Sequence, residues 1–384
     1  MREVVIVDAA RTALGRRNGA LRETHPVRLG SYALCEALAR ANVDPSVIEH
    51  VIMGCVSQVG EQTFNIARNV ALDAELPISI PATTVDFQCG SSQQAVHMAA
   101  AMIASGQADA VIAGGVENMS RVPMGSSMGT QQPFTDRIME LYNMIPQGVA
   151  ADEIAQKWGI SREQVDSIGY ESHMRAAKAT ENGWFSKEIL PIEGLDKEGN
   201  SIILDKDEGI RPNADRAKMG DLNTVFTADG VTTAGNSSQI SDGATALVVM
   251  SADKAKELGL KPKARIVSMS TVGSDPHLML TGPIEATRQV LKRAGMSLSD
   301  IDLFEVNEAF AAVIGMWEKE IGADMSKVNV HGGAIALGHP LGASGGRLMT
   351  TLIYALETHN QTIGLQTMCC GGGMGTGTII ERIN

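Results

Sequence analysis

Four places in the 384-residue chain set reactive side chains in turns rather than on helix faces. Cys89 lies in TTVDFQCGSSQQAVHMAA, where a strand pattern runs into Gly90-Ser91-Ser92 and a helical pattern begins. The sulfur therefore stands at a strand-to-helix turn, near the positive end of a helix dipole. A thiolate is favoured there, the cysteine is expected to have a lowered pKa, and the residue could act as a nucleophile. Taken alone, a buried cysteine is as readily a small inert apolar residue; the Gly-Ser-Ser turn and the abrupt helix start favour chemistry. His339, in GGAIALGHPLGASGG, stands before Pro340 on an ordered turn, where it could cap a carbonyl or serve as an acid–base group. Asn307-Glu308-Ala309-Phe310 follows the strand pattern IDLFEV, at the carboxyl end where α/β sheets place their sites. Cys369-Cys370 precede Gly371-Gly372-Gly373, and such glycines bare backbone N–H groups. A dinucleotide fingerprint fails here, because the seven residues after Gly377 leave no room for a helix and a ribose-binding acid. No Gly-Lys-Ser/Thr occurs, so a phosphate-binding P-loop fails too. His97, Cys35 and Cys55 fit core or surface roles, although Cys55 stands at a strand end.

The elements that must carry these residues occur twice. Residues 29–54 and 282–307 align without a gap at an offset of 307 − 54 = 253, with identities at Ala33/Ala286, Leu38/Leu291, Arg40/Arg293, Ala41/Ala294 and Ile48/Ile301. Each window reads as an amphipathic helix, a polar turn and an apolar strand. Each is preceded by a strand (from Val4 and from Ala264) and followed by a Gly/Ser turn into a small-residue helix (from Cys89 and from Gly342). Each copy then gives a strand ending in glycines, at 110–115 and 365–373. The alternation predicts an α/β protein of two similar β-α-β-α-β halves with parallel-rich sheets. Asn307 and Glu308 correspond to Gly54 and Cys55, so the Asn-Glu pair is not a requirement of the repeat. Residues 1–118 with 240–263 form the first half, 264–384 the second, and 119–239 an inserted loop domain. The insertion carries helical patterns at VAADEIAQKW and after Ser161.

Composition narrows the function classes. Lys and Arg number 32 against 44 Asp and Glu, a net charge of −12, so nucleic acid and anionic membrane surfaces are excluded as general partners. Aromatic residues, at 4%, are too few for a base- or sugar-stacking platform. The five cysteines lack metal-ligand spacing and a disulfide framework, so no metal is expected. The first residues do not read as a signal peptide, and no apolar run approaches the ~18 residues of a membrane span. The expected location is the cytoplasm.

The chain resembles the thiolases, acetyl-CoA C-acyltransferases, over essentially its whole length. The resemblance is carried by VIVDAARTALGR at the start, the segment around Cys89, GGVENMSRVP at 114–123 and GNSSQISDGA at 235–244. NEAF at 307–310, GGAIALGHPLGASG at 332–345 and CCGGGMG from Cys369 complete it. It implies the thiolase fold, two similar halves packed together with a loop domain. It also implies reversible Claisen cleavage of a 3-oxoacyl-CoA by CoA, giving acetyl-CoA and a shortened acyl-CoA through an acyl-Cys89 intermediate. On the family pattern His339 activates the nucleophile, and Cys369, two residues before the first glycine, is the acid–base group. Asn307 with His339 serves the enolate oxygen, and N–H groups at Cys89 and Gly371 serve the tetrahedral intermediate. Ser238 and Arg211 contact CoA, which is a substrate; no bound cofactor is implied.

The resemblance further implies a homodimer or homotetramer, with a partner enzyme of β-oxidation as an option. Gln88, Ser92, Cys370 and Leu222-Asn223-Thr224-Val225-Phe226 depart from the commoner pattern and bear on substrate preference. The FQCGSSQQAVH and SSQISDGA blocks resemble thiolases of bulky or steroid side-chain acyl-CoAs. The alternatives are an acetoacetyl-CoA-forming thiolase, a decarboxylating ketoacyl synthase and an inactive lipid-binding relative.

Overall fold

The computed structural model describes residues 2–383. The first half supplies strands β1 (Val4–Thr12), β2 (His50–Gly54), β3 (Ala82–Val85), β4 (Ala110–Asn118) and β5 (Ser241–Ser251). The second supplies β6 (Ala264–Gly273), β7 (Leu303–Val306), β8 (Ile363–Cys370) and β9 (Met374–Arg382). Their order is β7-β8-β9-β6-β1-β5-β4-β2-β3. Strands of the two halves pair only at Val5–Arg265 and Ile6–Ala264 among the described residues, so the array is two sheets joined at one corner.

The duplication extends to the hydrogen-bond register. In the first half β2 pairs parallel with β4, His50 opposite Val111 and Val51 opposite Ile112. Adding 253 to each number gives Leu303 opposite Gly364 and Phe304 opposite Leu365, the parallel register of β7 with β8. The antiparallel steps also repeat, β4–β5–β1 in one half and β8–β9–β6 in the other. The strand β9 after the glycine cluster is not anticipated by the sequence pattern. Cys369 and Cys370 also lie within β8 rather than after it, with Gly371–Gly373 making the turn into β9.

Helix α1 (Pro26–Ala41) starts at Pro26 with the His25 ring accepting the Val27 N–H, and stops where Asn42 turns left-handed. It covers the outer face of the first sheet through Leu29, Ala33, Leu34, Ala37 and Leu38. Helix α2 (Ser91–Ser105) and the second copy's equivalent lie side by side between the sheets. In the stretch between them come α3 (Gln147–Lys157), α4 (Arg162–Glu181), α5 (Gly282–Ala294) and α6 (Ala311–Ile321). Helix α7 (Leu341–Thr358) is the central one, buried on every side from Leu341 to Leu356. It touches β4 and β5 of one sheet and β7 and β8 of the other. A helix built of small and apolar residues belongs in such a place, and its one buried charge, Arg347, is paired with Glu305 at 3.4 Å. Helix α2 is tied to the second sheet by Gln93 and His97, both bonded to Thr378, at 2.7 and 2.8 Å.

Residues 119–240 carry α3, α4 and a hairpin of Ile192–Leu195 with Ser201–Leu204. Ser161 caps α4 in a full capping box with Gln164. Both helices pack on the second half through α6. The short strand Ile189–Leu190 adds to the edge of β1, anchored by Arg11, whose guanidinium is buried between Glu188 and Asp207.

Candidate active site

The nucleophile turn is built by its own residues. Gln88 has φ +50°, an uncommon left-handed conformation for a residue with a side chain. Its N–H donates to Asp86 Oδ1 at 2.8 Å, and its carbonyl accepts the Ser91 hydroxyl at 2.5 Å. Gly90 follows without a side chain because a Cβ there would stand 2.6 Å from Cys370 Sγ. Cys89 is left 5% exposed, packed with Met119, Leu341, Met368 and Cys370.

Two backbone N–H groups lie near the Cys89 sulfur and favour its thiolate, its own and that of Gly371. The expectation of a lowered Cys89 pKa is not met. Burial pushes the thiol up to about 12, and the N–H groups only moderate that rise. Cys369 and Cys370 are fully buried, and both thiols are raised, first by burial and then by the field of Cys89. All three cysteines thus carry their protons at neutral pH in the resting protein. Along β8 the two neighbours diverge, as strand alternation requires. Cys370 packs with Cys89, and its sulfur lies against Gly90, whose N–H donates to Phe87 O at 3.1 Å. Cys369 packs on the other side with Leu278, Ala309 and Ile335.

His339 and Asn307 meet beside this cluster. Asn307 Nδ2 is 3.4 Å from His339 Nε2, and Asn307 Oδ1 is buried without a protein partner. His339 Nδ1 is 2.5 Å from Ser344 Oγ, and that hydroxyl donates to Pro340 O at 2.9 Å. Burial, helped by Arg347, lowers the imidazole to about 3, so it is neutral. Leu341, two residues on, is in the apolar cluster around Cys89.

Two buried carboxylates hold the loops together. Glu308 accepts the Ser172 hydroxyl (2.6 Å), Asn329 Nδ2 (2.9 Å) and the Ile335 N–H (3.1 Å), tying α4 and the His339 loop to Asn307. Glu117 accepts N–H groups of Val56 and Ser57, Gln62 Nε2 and the Gly342 N–H at the start of α7. Neither role was identified from the sequence. GGVENMS and NEAF held the signal, since a carboxylate at the end of a buried strand needs several donors.

Ser238 donates its N–H to Ala309 O at 3.0 Å, which places it beside the Asn307 loop. Arg211 lies apart, exposed on the inserted stretch, with its N–H on His173 Nδ1 and no carboxylate paired to its guanidinium among the described residues. Gln88 and Gln147, the latter at the start of α3, lean over Gly371: a Cβ there would meet Gln147 Nε2 at 3.0 Å and Gln88 Oε1 at 3.2 Å. No sequence signal singles out Gln147. No group of three or more His, Cys, Asp or Glu able to hold a metal occurs among the described residues, and no helix is long and apolar enough to cross a membrane.

The family model for the thiolase N-terminal domain matches residues 4–253, and that for the thiolase C-terminal domain matches 260–382. The 3-ketoacyl-CoA thiolase of Cronobacter sakazakii is 46% identical over 389 residues, and that of Aliivibrio fischeri 47% identical over 388, each with full coverage of both chains. A crystal structure of the Bacillus anthracis acetyl-CoA acetyltransferase superposes with a TM-score of 0.92 at 38% identity, covering 100% of this chain and 99% of that one. Duplicated halves, a shared register and two family models meeting near residue 255 have one explanation: the chain belongs to the thiolase family.

Proposed function

We propose that the chain is a 3-ketoacyl-CoA thiolase that transfers an acyl group through Cys89. The observation that carries the reading is a cysteine buried at a strand-to-helix turn with two backbone N–H groups, its own and that of Gly371, beside its sulfur. In the forward step the Cys89 thiol passes its proton to neutral His339 as the sulfur attacks the 3-oxo carbonyl. Those two N–H groups then hold the new oxyanion. The C2–C3 bond breaks, and the enolate of acetyl-CoA forms against His339 and a water held by Asn307. Cys369, a thiol that keeps its proton at neutral pH, protonates that enolate. It then takes the proton of the incoming CoA thiol, whose sulfur attacks acyl-Cys89 and releases the shortened acyl-CoA, while the departing Cys89 thiolate takes its proton back from His339.

CoA is a substrate in this scheme, and no bound cofactor takes part. The unpaired Arg211 suits its phosphates, and Ser238 suits its chain near Asn307. The setting is fatty-acid or side-chain β-oxidation in the cytoplasm, by a homodimer or homotetramer, with room for a β-oxidation partner. A biosynthetic, acetoacetyl-CoA-forming role is the second reading, favoured by the close superposition on the Bacillus anthracis acetyl-CoA acetyltransferase.

Intact-mass analysis after incubation with a 3-oxoacyl-CoA tests the core of the proposal. One acyl group per chain is expected, lost in Cys89→Ala; acylation that survives the substitution rejects it. Thiolysis rates over a chain-length panel separate the two roles.

A further inference from the structure

We propose that Ser344 is a positioning residue that fixes His339 in the tautomer able to take a proton from Cys89. This rests on the reading of His339 as the base. A hydroxyl has one proton to give, and Pro340 O can only accept. The 2.9 Å bond to that carbonyl therefore uses the Ser344 proton. The serine oxygen must then accept from its 2.5 Å neighbour, so His339 Nδ1 carries the N–H. A neutral imidazole has one N–H, which leaves a lone pair on Nε2. The other end of the ring agrees, because Asn307 Nδ2 is a donor and faces Nε2 at 3.4 Å. Ser344 and Asn307 are both buried.

The proton balance is simple. The Cys89 S–H bond breaks and an Nε2–H bond forms. The resulting imidazolium keeps its Nδ1–H on Ser344, which hands the polarisation on to Pro340 O. The charged group that acts on the ring is Arg347 on α7, which opposes protonation and does not hydrogen-bond the imidazole.

The first half isolates the contact that matters. The counterpart of Ser344 is Ser91 (344 − 253 = 91). Its hydroxyl also donates backward, to Gln88 O at 2.5 Å, but accepts from the Phe87 N–H at 2.9 Å where Ser344 accepts from an imidazole. Both serines thus donate backward, Ser344 four residues and Ser91 three, and only the second copy has an imidazole on its hydroxyl.

The direct test is 15N-histidine NMR of the wild-type protein, with the His339 signals assigned by their loss in His339→Gln. A protonated Nδ1 and a bare Nε2 are expected; a protonated Nε2 overturns the proposal whatever the variants do. Ser344→Ala should lower kcat about tenfold to a hundredfold, the cost of an unpaired buried donor, with KM little changed. The pH profile of Cys89 alkylation by iodoacetamide should move to higher pH, and Ser344→Thr should restore it. Thr350→Ala removes the backward bond of another α7 hydroxyl, from Thr350 Oγ1 to Gly346 O at 2.8 Å, without touching an imidazole, so it should leave the inflection in place. Equal shifts in Ser344→Ala and Thr350→Ala, or a loss confined to KM, reject the positioning role. Full turnover in His339→Ala would remove the base assignment instead, while the NMR result on the tautomer stands by itself.

Discussion

The two halves share a register and differ in what they hold inside it. At the offset of 253, Asn307, His339, Cys369 and Gly371 of the second half correspond to Gly54, Asp86, Val116 and Asn118 of the first. Cys89 corresponds to Gly342. The inner face of the second sheet is polar where the first is apolar: Glu305 replaces Ile52, and Gln366 replaces Ala113. Even the bonding at the start of each central helix differs, with the Gly342 N–H on the Glu117 carboxylate of the first half and the Gly90 N–H on the local Phe87 carbonyl. On the proposed mechanism one half presents the nucleophile and the other the acid–base groups. A catalytic centre needs both and forms only once.

That division can be broken at graded cost. Cys369→Ala should lower turnover in both directions by about a thousandfold while some acyl-enzyme still forms, whereas Cys370→Ala should stay within about tenfold of wild type. Steady-state rates together with intact mass decide it, and the reverse pattern would move the acid–base role by one residue. Asn307→Ala should lower kcat about a hundredfold with little change in KM, because the enolate exists only along the reaction path. An effect on KM alone would transfer Asn307 to substrate binding.

The remaining tests concern stability. Gly342→Ala places a methyl 2.7 Å from the Cys55 Cα and 2.8 Å from Glu117 Oε2. It should destabilise the fold by about 1–3 kcal/mol in denaturant titration, which would explain why the second half has no counterpart of Cys89. The smallest effect is at Glu305, whose carboxyl burial pushes up to about 8 although Arg347 lies 3.4 Å away. An acid raised on folding binds its proton more tightly in the native state. Its contribution to stability is full below about pH 4, the unfolded value, and is lost as pH rises through about 8. Melting temperature should fall from pH 6 to 9, and Glu305→Gln should flatten that slope.

Much of this was legible in the chain itself. The repeat at 29–54 and 282–307 predicted two α/β halves because helix and strand periodicity survive where identity is sparse. The places of Cys89, Asn307 and His339 followed from turns and strand ends, which glycine and proline mark locally. Two kinds of feature were not legible. The Cys89 pKa depends on burial by Met119, Leu341 and Met368, which are far apart in sequence, and burial overrode the helix terminus. The roles of Glu117, Ser344 and Gln147 depend on hydrogen bonds and approaches between distant loops, which no local pattern encodes. The strand β9 escaped notice because its glycines weaken strand propensity, while its pairing with β6 and β8 supplies the stability.

The helix α7 also bears on how the chain folds. Its sixteen buried residues are covered by both sheets and by α2. Cut near residue 255, where the two family models divide, either fragment would present a bare face that water must wet: β4 and β5 without their cover, or α7 without half of its own. The family models thus draw a boundary where cooperativity has none. Denaturation should proceed as a single transition seen alike by every probe, and the fragments should become compact only when mixed.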